Sequence, residues 1–359
     1  MKIKTPRFRP TRRAFLANSG ALAVGLTFLP RHSLSQEEKR LNFYNWDTYI
    51  GETTLDDFQG ESGIEVQMDL FADNDELFAK LRAGNPGYDV IVPTNDYVER
   101  MITADMLMPL DHSKIPNMDN IDEPFRDAAF DPGRKYSIPY MWGTMGIGYR
   151  KSRVEEPIDS WRVLLDSDQY SGRISLLGDA QNVIGCALKY LGYSFNSTDP
   201  GEITEVEELL IANKRHIKVF APDTGQDLLI AGEVDLCQEW NGDILQVMDE
   251  DDDLAYVVPQ EGTLLWQDCL AIPTGAPHPD NAHAFINYIL EAEAGAAIAD
   301  YIQYASPNAA AKALMSEEYT ENPAIFPTDE IIAKSEPSIY LGEGPIRLRD
   351  EAWTRIQAA

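Results

Sequence analysis

The chain of 359 residues has three cysteines, five histidines and no apolar run as long as the roughly twenty residues that a membrane-spanning helix needs. It also lacks C-x-x-C, H-E-x-x-H, G-x-S-x-G and G-x-x-x-x-G-K. Redox, zinc-hydrolase, serine-hydrolase and phosphate-loop chemistries are therefore without their usual residues. Positive charge is scarce: 30 Lys and Arg against 59 Asp and Glu give a net charge of -29, which repels phosphate backbones and makes nucleic acid a poor partner. An odd cysteine count leaves at least one thiol free. Cys186 and Cys237 could bridge, but both sit among small apolar residues, and with Cys269 they read as three free thiols. What is present, 44% hydrophobic and 25% charged residues, is globular and long enough for two domains.

Residues 1–35 carry seven basic residues and no acid, with an apolar run from Ala14 to Leu29, the layout of a secretory signal. Thr11-Arg12-Arg13-Ala14-Phe15-Leu16 reads as a twin-arginine export signal, and Ser33-Leu34-Ser35 places the mature start near Gln36. Removing those seven basic residues would leave 23 against 59 acids, a charge of -36. The expected location is the periplasm, and the export machinery is one expected partner.

From Leu41 short apolar runs alternate with helical patterns: strands over 41–46, 64–70 and 89–93, helices over 54–62, 76–83 and 97–104. This is βαβ arithmetic, in which ligands sit beyond the carboxyl ends of strands, here Asn45-Trp46-Asp47 and Pro93-Thr94-Asn95-Asp96. Two extended segments, 136–142 and 147–149, flank glycines that read as a hinge. A second unit follows, with strands over 173–177, 218–220, 234–239, 256–259 and 268–273 and helices over 183–191, 204–212, 226–231 and 282–290. The acidic run Asp249 to Asp253 reads as a solvated loop, and the histidines as exposed polar residues.

Aromatic residues and acids pair at predicted strand ends: Trp46 and Asp47 with Tyr49, Trp240 with Asp243, Trp266 with Asp268, and Asp179 after the strand over 173–177. Trp142 also falls on such a segment, whereas Trp161 and Trp353 read as packing residues. Aromatic walls with acids at intervals make a slot for an elongated cation.

The segments Phe43-Tyr44-Asn45-Trp46, Tyr88 to Pro93, Tyr136 to Gly143, Trp240-Asn241-Gly242-Asp243, Trp266-Gln267-Asp268 and Tyr304 to Asn308 resemble the periplasmic spermidine/putrescine-binding proteins of ABC transporters. The resemblance runs from about Leu41 to Ile356. It implies an α/β, two-lobed periplasmic binding protein of type II, each lobe a mixed sheet flanked by helices with the ligand cleft between them. The lobes would be 36–145 plus 267–312 and 146–266 plus 313–359. By resemblance Trp46 stacks on a methylene chain with Tyr49 following, Asp243 after Trp240 faces an amine, Trp266 and Asp268 wall the middle, and Tyr304 closes the slot. Asp179 matches an acid of the spermidine-type pattern. Two departures stand out: Asp47 precedes Thr48 where the family has a hydroxyl and then an acid, and Asn182 stands where the family has a glutamate. Asp96 completes the expected ligand contacts. The implied function is a monomeric, non-enzymatic receptor without cofactor or metal that hands a small cationic amine to an inner-membrane permease. A same-fold receptor for an opine-like, amino-acid-bearing or iron-bearing solute, and an exported carboxylate-dependent hydrolase, remain as alternatives.

Overall fold

The computed structural model describes residues 37–359, so the signal segment read at 1–35 lies outside the described residues. Ten strands are present among them: β1 Arg40–Asn45, β2 Glu65–Leu70, β3 Val90–Ile91, β4 Ser137–Arg150, β5 Ile174–Leu177, β6 Ile217–Ala221, β7 Leu236–Trp240, β8 Leu254–Val257, β9 Leu264–Ala271 and β10 Glu336–Pro337. They hydrogen-bond in the order β2-β1-β3-β9-β4-β7-β5-β6, with β10 on β9 and β8 on β4. The βαβ units give parallel pairs, β1 with β2 and β3, and β5 with β6 and β7. β9 runs antiparallel to β3 and β4, and β4 antiparallel to β7 and β8, so the sheet is mixed.

β4 joins the two halves. Its residues Ser137 to Thr144 pair with β9, whereas Met145 to Arg150 pair with β7 and β8. The two extended segments expected here are one strand, and its glycines are packing positions in an unbroken ladder. A Cβ at Gly143 would collide with Asn241 and Trp266, and one at Gly148 with Ile244, so close approach explains them.

Buried polar groups fix the frame. Asp89, fully buried, accepts from the Asn42 N–H at 2.8 Å, the His278 N–H at 2.7 Å and the His278 ring at 3.0 Å, tying β1 to the start of the helix Pro279–Ile289. Asp131 accepts from the Ser137 N–H at 2.8 Å and sets the start of β4. His283 is buried, its ring between the Asp111 N–H and the Pro279 carbonyl, because it lies on the inner face of its helix; it is not the exposed residue the sequence suggested. Asp251 and Asp253 stay partly exposed and pair with Arg150 at 2.8 and 3.2 Å. Trp142 packs in mid-strand between Phe125 and Phe326. All three cysteines are free and buried, and Cys186 donates to the Met145 sulfur at 3.5 Å.

Replacing Asp89 strands two partly buried backbone N–H groups. Asp89→Ala is expected to lower unfolding free energy by about 2–4 kcal/mol in urea denaturation; a change within experimental error would show that the frame does not depend on it.

Candidate functional site

Strand carboxyl ends from both halves open onto one cleft of about 730 Å³. Trp46 follows β1; its indole N–H donates to the Val92 carbonyl at 2.9 Å and its ring lies against Phe71, which holds the side chain at the wall. Trp266 of β9 meets Trp240 at the end of β7 edge-on at 5.9 Å and Tyr304 at 5.1 Å. Gly242 permits this corner, since a Cβ there would lie within 2.5 Å of the Tyr304 ring. The aromatic wall is thus assembled from both halves and stabilised by its own edge-to-face contacts.

Acids stand between the rings. Asp268, 7% exposed on β9, accepts from the Thr94 hydroxyl at 2.8 Å, which is itself held by the Asn74 amide at 2.8 Å. Burial pushes its carboxyl up to about 7, against that hydrogen bond, with Asp96 and Asp223 adding like charge. Burial, and beyond it the charge of Asp179, pushes Asp96 up to about 6. Asp243, on the helix Asn241–Met248, is raised well above the ordinary carboxylate range by burial and then by Asp223. Asp179 is exposed and caps the helix Ala180–Tyr190, accepting from the backbone N–H of Gln181 at 2.7 Å and of Asn182 at 3.1 Å, while the Asn182 amide donates back at 3.0 Å. Arg100, Arg347 and Arg349 also border the cleft. Arg100 is engaged by Asp75 and Glu343, and Arg349 by the Phe195 and Ser197 carbonyls.

Of the twelve residues singled out from sequence, eleven line this cleft: Trp46, Asp47, Tyr49, Asp96, Asp179, Asn182, Trp240, Asp243, Trp266, Asp268 and Tyr304. Thr48 does not. Its φ of 47° turns the backbone into the left-handed region, and the residue borders a separate shallow depression with Ile50 and Tyr301. Sequence reasoning missed Asp223, after β6, and Glu239, inside β7. Carboxylate oxygens of Asp223, Glu239 and Asp243 lie within 4.8 Å of one another. A hard divalent ion takes about six to eight oxygens, and both Glu239 oxygens are already met by backbone N–H groups, so the trio suits a shared proton or an ammonium better.

Comparison with known proteins agrees with this geometry. A family model described as bacterial extracellular solute-binding protein matches residues 53–328. The putrescine-binding periplasmic protein PotF of Escherichia coli is 33% identical over 95% of this chain and 97% of its own length. The spermidine/putrescine-binding periplasmic protein of Salmonella typhimurium is 34% identical over 96% and 97%. Among solved structures, the spermidine/putrescine ABC transporter substrate-binding protein PotD of Streptococcus pneumoniae superposes with a TM-score of 0.79 at 34% identity, covering 89% of this chain and 99% of its own.

The raised carboxyls carry a sign. Their ordinary value is 3.8, so the unfolded chain releases these protons first. The ligand-free protein then loses stability as pH rises from about 4 through about 7. Melting curves across that window are expected to fall in the wild type and to flatten in Asp268→Asn. Parallel curves would mean that Asp268 is not under this strain.

Proposed function

Because the chain belongs to the bacterial extracellular solute-binding proteins, we propose that it captures a protonated polyamine in this cleft and delivers it to an inner-membrane ABC permease. The observation that carries the proposal is that Trp46, Trp240, Trp266 and Tyr304 line one cleft together with Asp96, Asp268, Asp243 and Asp223. An ammonium on an aromatic face gains roughly 0.5–2 kcal/mol. A carboxylate at about 4 Å adds on the order of 4 kcal/mol of gross attraction at an effective dielectric of 20, before desolvation. Asp268 feels both Asp96 and Asp223, and Asp96 feels Asp179, so the acids form successive stations that suit a chain with two or more charges.

We divide the protein into lobes at 36–145 plus 267–312 and 146–266 plus 313–359, so that Asp96 and Asp268 stand on one lobe and Asp179, Asp223 and Asp243 on the other. A ligand touching both favours the closed arrangement by its extra contacts there, and the permease reads closure. Capture takes place in the periplasm, reached by the twin-arginine signal at 1–35, as a monomer and without turnover. An amino-acid-bearing solute would need a cation for its carboxylate; Arg100 and Arg349 are engaged within the protein, which leaves Arg347 of the cleft wall as the group such a solute would have to use.

A calorimetric panel of putrescine, cadaverine, spermidine, spermine and agmatine tests the assignment. Saturable one-to-one binding of at least one of them, weakened about tenfold or more by Asp268→Asn, is expected; no saturable heat with any of the five would end it. Trp46→Ala should lose affinity while keeping its melting temperature within a few degrees. A collapse of that temperature would place the ring in the folding core instead.

A further inference from the structure

Glu239 is 0% exposed, on a strand otherwise built of core residues. A carboxyl so placed normally has a cation. Here Oε2 accepts from the Gly225 N–H at 2.9 Å and Oε1 from the Trp240 N–H at 3.2 Å, and Gly225 is glycine of necessity, since a Cβ there would collide with Oε2. The titratable groups facing Glu239 are Asp223 and Asp243, with Tyr304, Tyr256 and Cys237 beyond them, while Asp227 and Asp47 act on the two aspartates. The strongest charges on this group are thus all carboxylates. Carboxylates this close cannot all ionise in a dry site. Burial, followed by the Asp223 and Asp243 charges, pushes Glu239 well above its usual range.

The ligand side of the trio is open. Asp223 is exposed, and both aspartates line the cleft. A further polar atom of the cleft wall, Trp266 Nε1, belongs to a residue 5% exposed and has no partner among the described residues.

We infer that Glu239 is a positioning residue that holds a proton against Asp223 while the cleft is empty, and that an ammonium docking on Asp223 and Asp243 expels that proton to solvent. The inference rests on the reading of the cleft as a polyamine site. The exchange balances: the amine keeps its own protons, Glu239 loses one to buffer, and the ammonium N–H groups replace the lost hydrogen bond to Asp223. Glu239 never touches the ligand. It makes this end of the slot selective for a guest that brings positive charge, because a neutral guest leaves the proton where it is.

The test is calorimetry with putrescine at pH 8.0 in phosphate and in Tris, where the dependence of observed heat on buffer ionisation enthalpy counts protons. At that pH Asp96 and Asp268, at about 6 and about 7, are mostly ionised already. Wild type is expected to release between about half a proton and one proton more than Glu239→Gln, whose amide imitates the protonated acid. Any proton taken up by the amine is common to both proteins and cancels. Saturable binding with equal proton counts overturns the inference and leaves the polyamine reading standing; absence of binding of putrescine and of the other four amines in wild type removes both. Should Glu239→Gln fail to fold, a wild-type proton count near zero overturns the inference by itself.

Discussion

Four carboxyls at one cleft, Asp96, Asp243, Asp268 and the Glu239 behind them, that have no lysine or arginine ion pair among the described residues are the constraint on which the rest depends. Asp96, Asp243, Asp268 and Glu239 are crowded, partly dehydrated and acted on mainly by one another. Only protons or a cation from outside can relieve that. Of the basic residues on the cleft wall, Arg100 is held by Asp75 and Glu343 and Arg349 by backbone carbonyls, and Arg347 stands beside them. Positive charge suits these carboxyls, and the indole and phenol rings offer apolar contact to whatever links one charge to the next.

The fold places these groups through the ends of strands. β9 and β7 lie along successive stretches of β4, and so Trp266 and Asp268 come to the same cleft as Trp240 and Asp243 although the two pairs are carried by different strands. Helix starts complete the arrangement. Asp179 caps one helix and Asp243 lies in the first turn of another, at the end of a helix where the backbone favours negative charge. Glycines at 143, 225 and 242 let the backbone approach side chains that a methyl group would push away.

Much of this was legible in the sequence where the information is local. Alternating apolar runs marked the βαβ units, and Trp46-Asp47, Trp240 with Asp243 and Trp266 with Asp268 stand together in the chain as they do at the cleft. What failed depended on long-range contacts or on a single backbone angle. β4 continues through its glycines because β7, β8 and β9 hold it extended. Thr48 leaves the site because one φ is positive. His283 is buried because its ring meets Asp111, 172 residues away. Asp223 and Glu239 escaped for the same reason, being partners only in three dimensions. A signal for Glu239 did exist: an acid in the strand Leu236-Cys237-Gln238-Glu239-Trp240, at a position whose alternation with Cys237 assigns it to the interior.

The three thiols extend the picture in another direction. Cys186, Cys237 and Cys269 are each sealed in the interior and burial pushes all three up, so the resting protein presents neither an accessible nor a nucleophilic sulfur. An alkylating reagent would find them only in molecules that have come apart, while a cysteine introduced on the outside would be modified alone. The native chain is thus its own clean background for fluorophores or spin labels attached at chosen points on either side of the groove.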